Sequence, residues 1–324
     1  MTTPPTIRPR APLVSQATFS VIIPTYNNAL TLARSLDSVL AQTYPAHEIF
    51  VVDDGSMDGT REVVAAYGDR VIYHYQPNAG VSVARNVGAR MATGSWLAFL
   101  DADDTFAPDR LALHAEWIER DPDLDFLLGD QDFLKPDGSF THAAITSSAF
   151  GRALQKRHPN AHEIVLEEDD FGPLIADGFA EIRTLSLSRA TFHRLGGFPV
   201  GTRIGEDLQL IVRLCAASRR AGVVMRTLAH YYIYPSSAIR KDALGSQRAF
   251  VATLEELAGQ MNASQPGLRS GLREKIRQAR LSLAYMYLRQ RLRRAAIGSV
   301  LPMLRPVPSL TAIRDVLSVV RGIR

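Results

Sequence analysis

An apolar run, Trp96 to Leu100, ends in Asp101-Ala102-Asp103-Asp104, three carboxylates within four residues. A buried strand that delivers acids to its carboxyl end belongs to an open α/β sheet, because such sheets bind their ligands there. Carboxylates this close repel one another. They persist when solvated in a turn, when protonated, or when bridged by a hard divalent cation. Mg2+ and Mn2+ suit one or two carboxylates plus a substrate diphosphate. A D-x-D alone does not choose among these, so the flanking sequence has to.

The pattern recurs along the first hundred residues. Val21-Ile22-Ile23 runs into Pro24-Thr25-Tyr26-Asn27, and Ile49 to Val52 runs into Asp53-Asp54-Gly55-Ser56. Strands are expected at 19–23, 48–52, 71–75 and 96–100, and helices at 29–41, 59–67 and 82–92. This alternation predicts a mostly parallel central sheet covered by helices. Pro108 marks a further helix start and 125–128 a further strand. Residues 130–180 read as irregular, with a turn at Pro136-Asp137-Gly138 and an acidic cluster from Glu167 to Asp170. A returning strand is expected at 182–187. Helices follow at 189–195, 208–217, 246–262 and 268–296.

Composition narrows the class. The chain has 324 residues, 46% hydrophobic and 22% charged, which is ordinary for a globular protein. One cysteine, Cys215, excludes an internal disulfide and fits a reducing compartment. The first eighteen residues hold four prolines and no signal-peptide core, so 1–18 is expected to be a disordered tail. No segment has the roughly 20 apolar residues of a membrane span. From Arg289 to Arg324 eight arginines face a single acid, Asp315. The domain expectation is therefore a catalytic unit at 19–240 and a helical extension at 241–324, basic and amphipathic from about 289. The chain is expected to be cytoplasmic, with contact between 289–324 and an anionic membrane left open against simple packing of those helices on the enzyme.

Three further motifs follow in order: Asn78-Ala79-Gly80 leading to Arg85-Asn86 and Gly88, then Gly196-Gly197-Phe198, then Gly205-Glu206-Asp207. Together with the strand-end acids, over roughly residues 19–240, this set resembles the family 2 glycosyltransferases. The resemblance implies a GT-A, Rossmann-like α/β fold. It also implies inverting sugar transfer from a UDP-sugar to a saccharide or lipid-linked saccharide, as in cell-surface polysaccharide assembly. Nucleic acid is not an expected partner.

The resemblance also implies roles. Asp103 becomes the metal ligand for Mg2+ or Mn2+, with Asp101 near the metal or the donor hydroxyls. Asp54 accepts the uracil N3–H, and Pro24 and Tyr26 pack the base, though Tyr26 also reads as a core aromatic. Asp53 holds its own loop or a ribose hydroxyl. Arg85 either holds the diphosphate or pairs with Asp53 or Asp101 as a prop. Asp207 is the base that takes the acceptor proton and Glu206 orients it, while an N-cap reading of Asp207 stays open. Asp104 reads as a helix cap and His230 as structural. Two other functions remain: a haloacid-dehalogenase-like phosphatase built on Asp101 and Asp103, and a non-catalytic nucleotide-sugar sensor. A dinucleotide oxidoreductase is disfavoured, because no Gly-x-Gly-x-x-Gly follows the first strand.

Overall fold

A computed structural model describes residues 17–235, 237–261, 265–304 and 309–322. The tail expected at 1–18 lies outside the described residues up to residue 16.

The first half is built from strand–helix units. In order these are β1 (Phe19–Thr25), α1 (Leu32–Leu40), β2 (Glu48–Asp53), α2 (Thr60–Ala65), β3 (Ile72–Tyr75), α3 (Val81–Met91) and β4 (Trp96–Phe99). The four strands pair in parallel in the order β3-β2-β1-β4. Strand β1 is buried along its whole length. Its alternate side chains feed two cores. Phe19, Val21 and Ile23 meet Leu32, Leu36 and Val39 of α1, whereas Ile22 joins Ala84 and Ala89 of α3 on the other side. Leu32, Leu36 and Val39 recur at helical spacing, which is why this segment lies on the sheet as a helix. Helix α3 can approach β1 closely because Gly88 has no Cβ; one built there would sit 2.6 Å from Ile22 Cγ2.

Chain order reverses between β1 and β4. That reversal opens a crevice at the carboxyl ends of the strands, where such sheets bind ligands.

The second half is mixed. It contains β5 (Thr105–Phe106), α4 (Arg110–Arg120), β6 (Phe126–Leu134), β7 (Phe140–Ala143), α5 (Ala144–Ser147), α6 (Ala149–Arg157), β8 (Glu163–Glu167) and α7 (Glu168–Asp177). After these come β9 (Ser186–Ser188), α8 (Arg189–Arg194), α9 (Glu206–Ala216) and the long β10 (Arg220–Tyr232). The sheet continues β4-β9-β6-β10-β5, with β7 on β6 and β8 on β10. Strand β9 runs antiparallel to both β4 and β6, so the parallel half ends there.

Several local expectations are corrected. Residues 130–180 are not irregular. Asp130 Oδ1 accepts from Gln131 N and Ile145 N, which fixes the turn into α5. The acidic cluster opens α7, with Glu167 and Asp170 forming a reciprocal capping box. The strand expected at 182–187 is a 3-10 turn at 182–184 followed by the three residues of β9.

Four helices close the described chain after the short α10 (Ala238–Lys241): α11 (Ala243–Gln260), α12 (Pro266–Arg289), α13 (Arg293–Val300) and α14 (Leu310–Arg321). Val251, Leu254 and Leu257 of α11 and Leu268, Leu272 and Leu283 of α12 share the core of the sheet's α3 side. The helix expected at 268–296 stops at Arg289. Arg291 takes φ 62°, and Leu292 N donates to Tyr287 O while Arg291 N donates to Leu288 O. This left-handed helix stop normally uses glycine, so an arginine there hides it from the sequence.

Candidate functional site

The crevice at the β1/β4 reversal is a cavity of about 470 Å³. Pro24, Tyr26, Asp54, Asp101 and Asp103 all line it, together with Gly80 and Ala84. Tyr26 is 46% exposed, so it is a ring on the cavity wall and not a core aromatic. A larger opening of about 550 Å³ lies among α11, α12 and α14, and no residue of the D-x-D lines it. Its charges largely satisfy one another: Arg277 pairs with Glu274 and Asp315, and Arg280 with Glu255. The smaller cavity is therefore where free chemistry lies.

The loops after β1 and β2 hold each other in place. Asn27 N donates to Ser56 Oγ at 2.8 Å, and Met57 N donates back to Asn27 Oδ1 at 2.8 Å. Asp53 stays in its own loop, accepting from Ser56 N and the Tyr73 hydroxyl. Asp54 accepts from Gln76 Nε2 at 2.7 Å, Ala79 N at 2.9 Å and Gly80 N at 2.8 Å. A carboxylate has about four acceptor sites, so Asp54 clamps the loop before α3 and keeps one site free.

Arg85 sits at the centre of the acids. Its guanidinium reaches Asp207 at 2.6 Å, Asp101 at 2.7 Å and Glu206 at 3.2 Å. The alternative pairing with Asp53 is not made; Asp53 is held by Ser56 N and the Tyr73 hydroxyl. Arg85 is almost fully buried, and its Nε has no hydrogen-bond partner. Burial raises the Asp207 carboxyl to about 7; Arg85 opposes that rise, while Glu206 and Asp101 add to it. A value near 7 is what a general base needs at neutral pH. The N-cap position of α9 belongs to Gly205, at φ 90°, and Asp207 is the second residue of the helix, so it is not the N-cap.

The D-x-D acids have three different environments. Burial pushes the Asp101 carboxyl up, but Arg85 and Arg183 more than reverse this and leave it below the usual range. Asp104 is fully buried, accepting from Arg183 Nε at 2.7 Å and Tyr232 N at 3.0 Å. It is not the helix cap expected; Asp109 precedes α4. The Asp103 carboxylate pairs with no other side chain among the described residues. Burial and then Asp101 raise its pKa.

Arg183 went unnoticed in the sequence. It ties Asp104 to Asp101, at 2.7 and 3.3 Å, and also reaches Gln131 and Glu181. Its backbone is gripped by the fully buried Arg110, which donates to Arg183 O and Leu185 O. An ionised residue within the apolar run Ile182 to Leu187 was the available signal, since buried cations are rare unless paired.

Gly196-Gly197-Phe198 has a physical role. The Asn86 side chain donates to Phe198 O at 2.9 Å and accepts from Phe198 N at 2.8 Å. The Phe198 ring lies 5.0 Å from the Arg85 guanidinium. Gly197 has φ 71°, and a Cβ there would sit 2.5 Å from Asn86 Oδ1. Gly197→Ala should therefore destabilise the fold by about 2 kcal/mol, from left-handed strain and the displaced amide. Urea unfolding checks this, and an unchanged midpoint would contradict it. His230 hydrogen-bonds Thr105 at 3.2 Å, and burial lowers its pKa.

Residues 20–163 match the model of glycosyl transferase family 2. Over these residues the chain is similar to the family 2 glycosyltransferases, and its fold is GT-A. An uncharacterized glycosyltransferase of Rickettsia typhi is 34% identical over 142 residues, which is 40% of this chain and 45% of that protein. A PGL/p-HBAD biosynthesis glycosyltransferase of Mycobacterium bovis is 41% identical over 117 residues, 35% of this chain and 46% of the relative. The chain thus spans just under half the length of these curated relatives. Among solved structures, Staphylococcus aureus TarS 1-349 in complex with UDP-GlcNAc superposes with TM-score 0.65 at 19% identity, covering 94% of this chain and 89% of that one. The mannosyltransferase PcManGT of Pyrobaculum calidifontis, in complex with GDP-Man and Mn2+, gives 0.59 at 20% identity, covering 94% and 80%. At these identities the structures establish the fold alone.

Proposed function

We propose that this chain is an inverting, metal-assisted glycosyltransferase that moves a sugar from a UDP-sugar to a saccharide or lipid-linked saccharide in cell-surface polysaccharide assembly. The observation that carries the reading is the link that Arg85 makes between Asp207 and Asp101, the acid that lines the cavity beside Asp103. Asp207, pushed to about 7, suits proton abstraction. Asp103, at the cavity wall, offers a carboxylate with no ion-pair partner.

The donor set fits a hard divalent cation. No group of three His, Cys, Asp or Glu ligands occurs among the described residues, but Mg2+ or Mn2+ needs only one or two carboxylates when a diphosphate supplies the rest. Asp103 would hold it, with Asp101 beside it. When bound, the cation neutralises charge on the leaving nucleoside diphosphate. Asp207 takes the acceptor hydroxyl proton. The acceptor oxygen bonds the anomeric carbon as the bond to the diphosphate oxygen breaks on the opposite face, which inverts the centre. Glu206 and Arg85 fix the base in position.

Uridine is preferred for the donor because Asp54 keeps one acceptor site for an imide N–H, and Pro24 and Tyr26 offer an apolar wall. Cytosine and adenine have no matching donor, whereas thymine and guanine do. A hydrolysis screen over UDP-, dTDP- and GDP-sugars is the deciding experiment, with UDP-sugars expected to turn over. Release of phosphate from simple phosphomonoesters without donor cleavage would instead favour the phosphatase reading. Tight donor binding with neither cleavage nor transfer would favour a sensor.

A further inference from the structure

Helix α14 is apolar on two sides. Val316 and Val319 pack inward on Ala284 of α12 and on Ala296 and Val300 of α13, and Ala312 is buried on the same helix. The outer side carries Leu310, Ile313, Leu317 and Val320, exposed by 87%, 37%, 44% and 36%. Their spacing of three, four and three residues makes one continuous stripe. A surface helix that only completes a core needs the inner face alone, so the outer stripe requires a second explanation.

Charge supplies it. The turn and helix start beside α14 expose Arg289, Arg291, Arg293 and Arg294, and α14 itself exposes Arg314 and Arg321. Arg293 donates to Val320 O at 2.5 Å, which brings the arginine run against the carboxyl end of the stripe. The single acid of this region, Asp315, faces inward and pairs with Arg277. Among the described residues from 289 to 322, every exposed charge is positive. No helix of the described residues is long and apolar enough to cross a membrane, so any lipid contact here lies in the plane of the surface.

We propose that α14 and the arginine run Arg289–Arg294 form a docking surface for an anionic lipid bilayer, with the stripe entering the interface and the arginines meeting the headgroups. A second copy of the chain fits poorly. A two-fold contact would bring the same arginine run against itself, and like charges repel across an interface. The proposal does not depend on the donor or the reaction.

The test is sedimentation of the full chain with vesicles of phosphatidylcholine, with and without phosphatidylglycerol, in the absence of donor. Binding should require the anionic lipid and be lost near 1 M salt, where screening falls to about 3 Å. Arg291→Ser with Arg294→Ser should weaken binding by roughly 25-fold, about fivefold per arginine. Ile313→Glu with Leu317→Glu should abolish it while leaving the helical circular dichroism and donor hydrolysis unchanged, because both side chains point away from the core. Failure of the full chain to sediment, or equal binding to neutral vesicles, overturns the proposal. So does a dimer that the two glutamates dissolve without any vesicle binding. None of these failures touches the glycosyl-transfer reading.

Discussion

Asp207→Asn should leave nucleotide-sugar binding near normal and cut transfer by roughly 10²–10⁴-fold, the usual loss when a general base is removed. Asparagine keeps the size of the side chain and can still accept from Arg85, so the helix start and the cavity persist. It cannot take a proton. The intact enzyme should gain activity as pH rises through about 7, because the carboxyl is raised to that value by burial and by its acidic neighbours. Below that pH the base is protonated and idle. A diphosphate near Arg85 competes for the same guanidinium, so donor binding should move the inflection in kcat upward relative to that in kcat/KM for the donor. Donor affinity by calorimetry and turnover by nucleotide release separate the two effects. A variant that transfers at a near-normal rate would reduce Asp207 to a helix-start residue.

The first half of the fold is legible in the sequence because its strands are short, wholly buried runs that end in turn residues. Val21 to Ile23 and Ile49 to Val52 can only be central parallel strands in such a context. The acids at their ends are legible for the same reason. The structure adds connections that chain order does not reveal. Arg85 meets Glu206 and Asp207 across 121 and 122 residues, and Arg183 meets Asp101 and Asp104 from a segment that reads as plain strand. Buried ion pairs of this kind leave no periodicity. The break at Arg291 is hidden because an arginine does the work of a glycine. In 130–180 the elements are short and polar residues such as Asp130 and Gln131 are buried within them, so neither helical nor strand spacing stands out. Gly-Gly-Phe is visible as a motif, but its purpose, holding Asn86 beside Arg85, needs the third dimension.

Asp103→Ala should lower transfer by on the order of 10²-fold or more, since charge stabilisation by a bound cation is worth several kcal/mol. Donor binding should lose its dependence on Mg2+ or Mn2+ at the same time, because a diphosphate then faces the remaining acids without compensation. The fold should not suffer. The Asp103 carboxyl is raised in the folded state by burial and by Asp101. An unfolded aspartate ionises near 3.9, so above that pH the folded protein carries a charge it disfavours and loses stability relative to the unfolded chain. Removing the carboxylate should therefore leave the neutral-pH melting temperature unchanged or higher, which separates a lost ligand from a damaged fold. Melting with UDP and Mn2+, alone and together, supplies a readout besides turnover. The cation should raise the midpoint of the intact chain only in the presence of UDP, and should have no such effect on the variant. Full transfer by the intact chain in excess chelator would sink the metal role. A variant that melts well below the parent at pH 7 would mean that Asp103 holds the fold and not the cation.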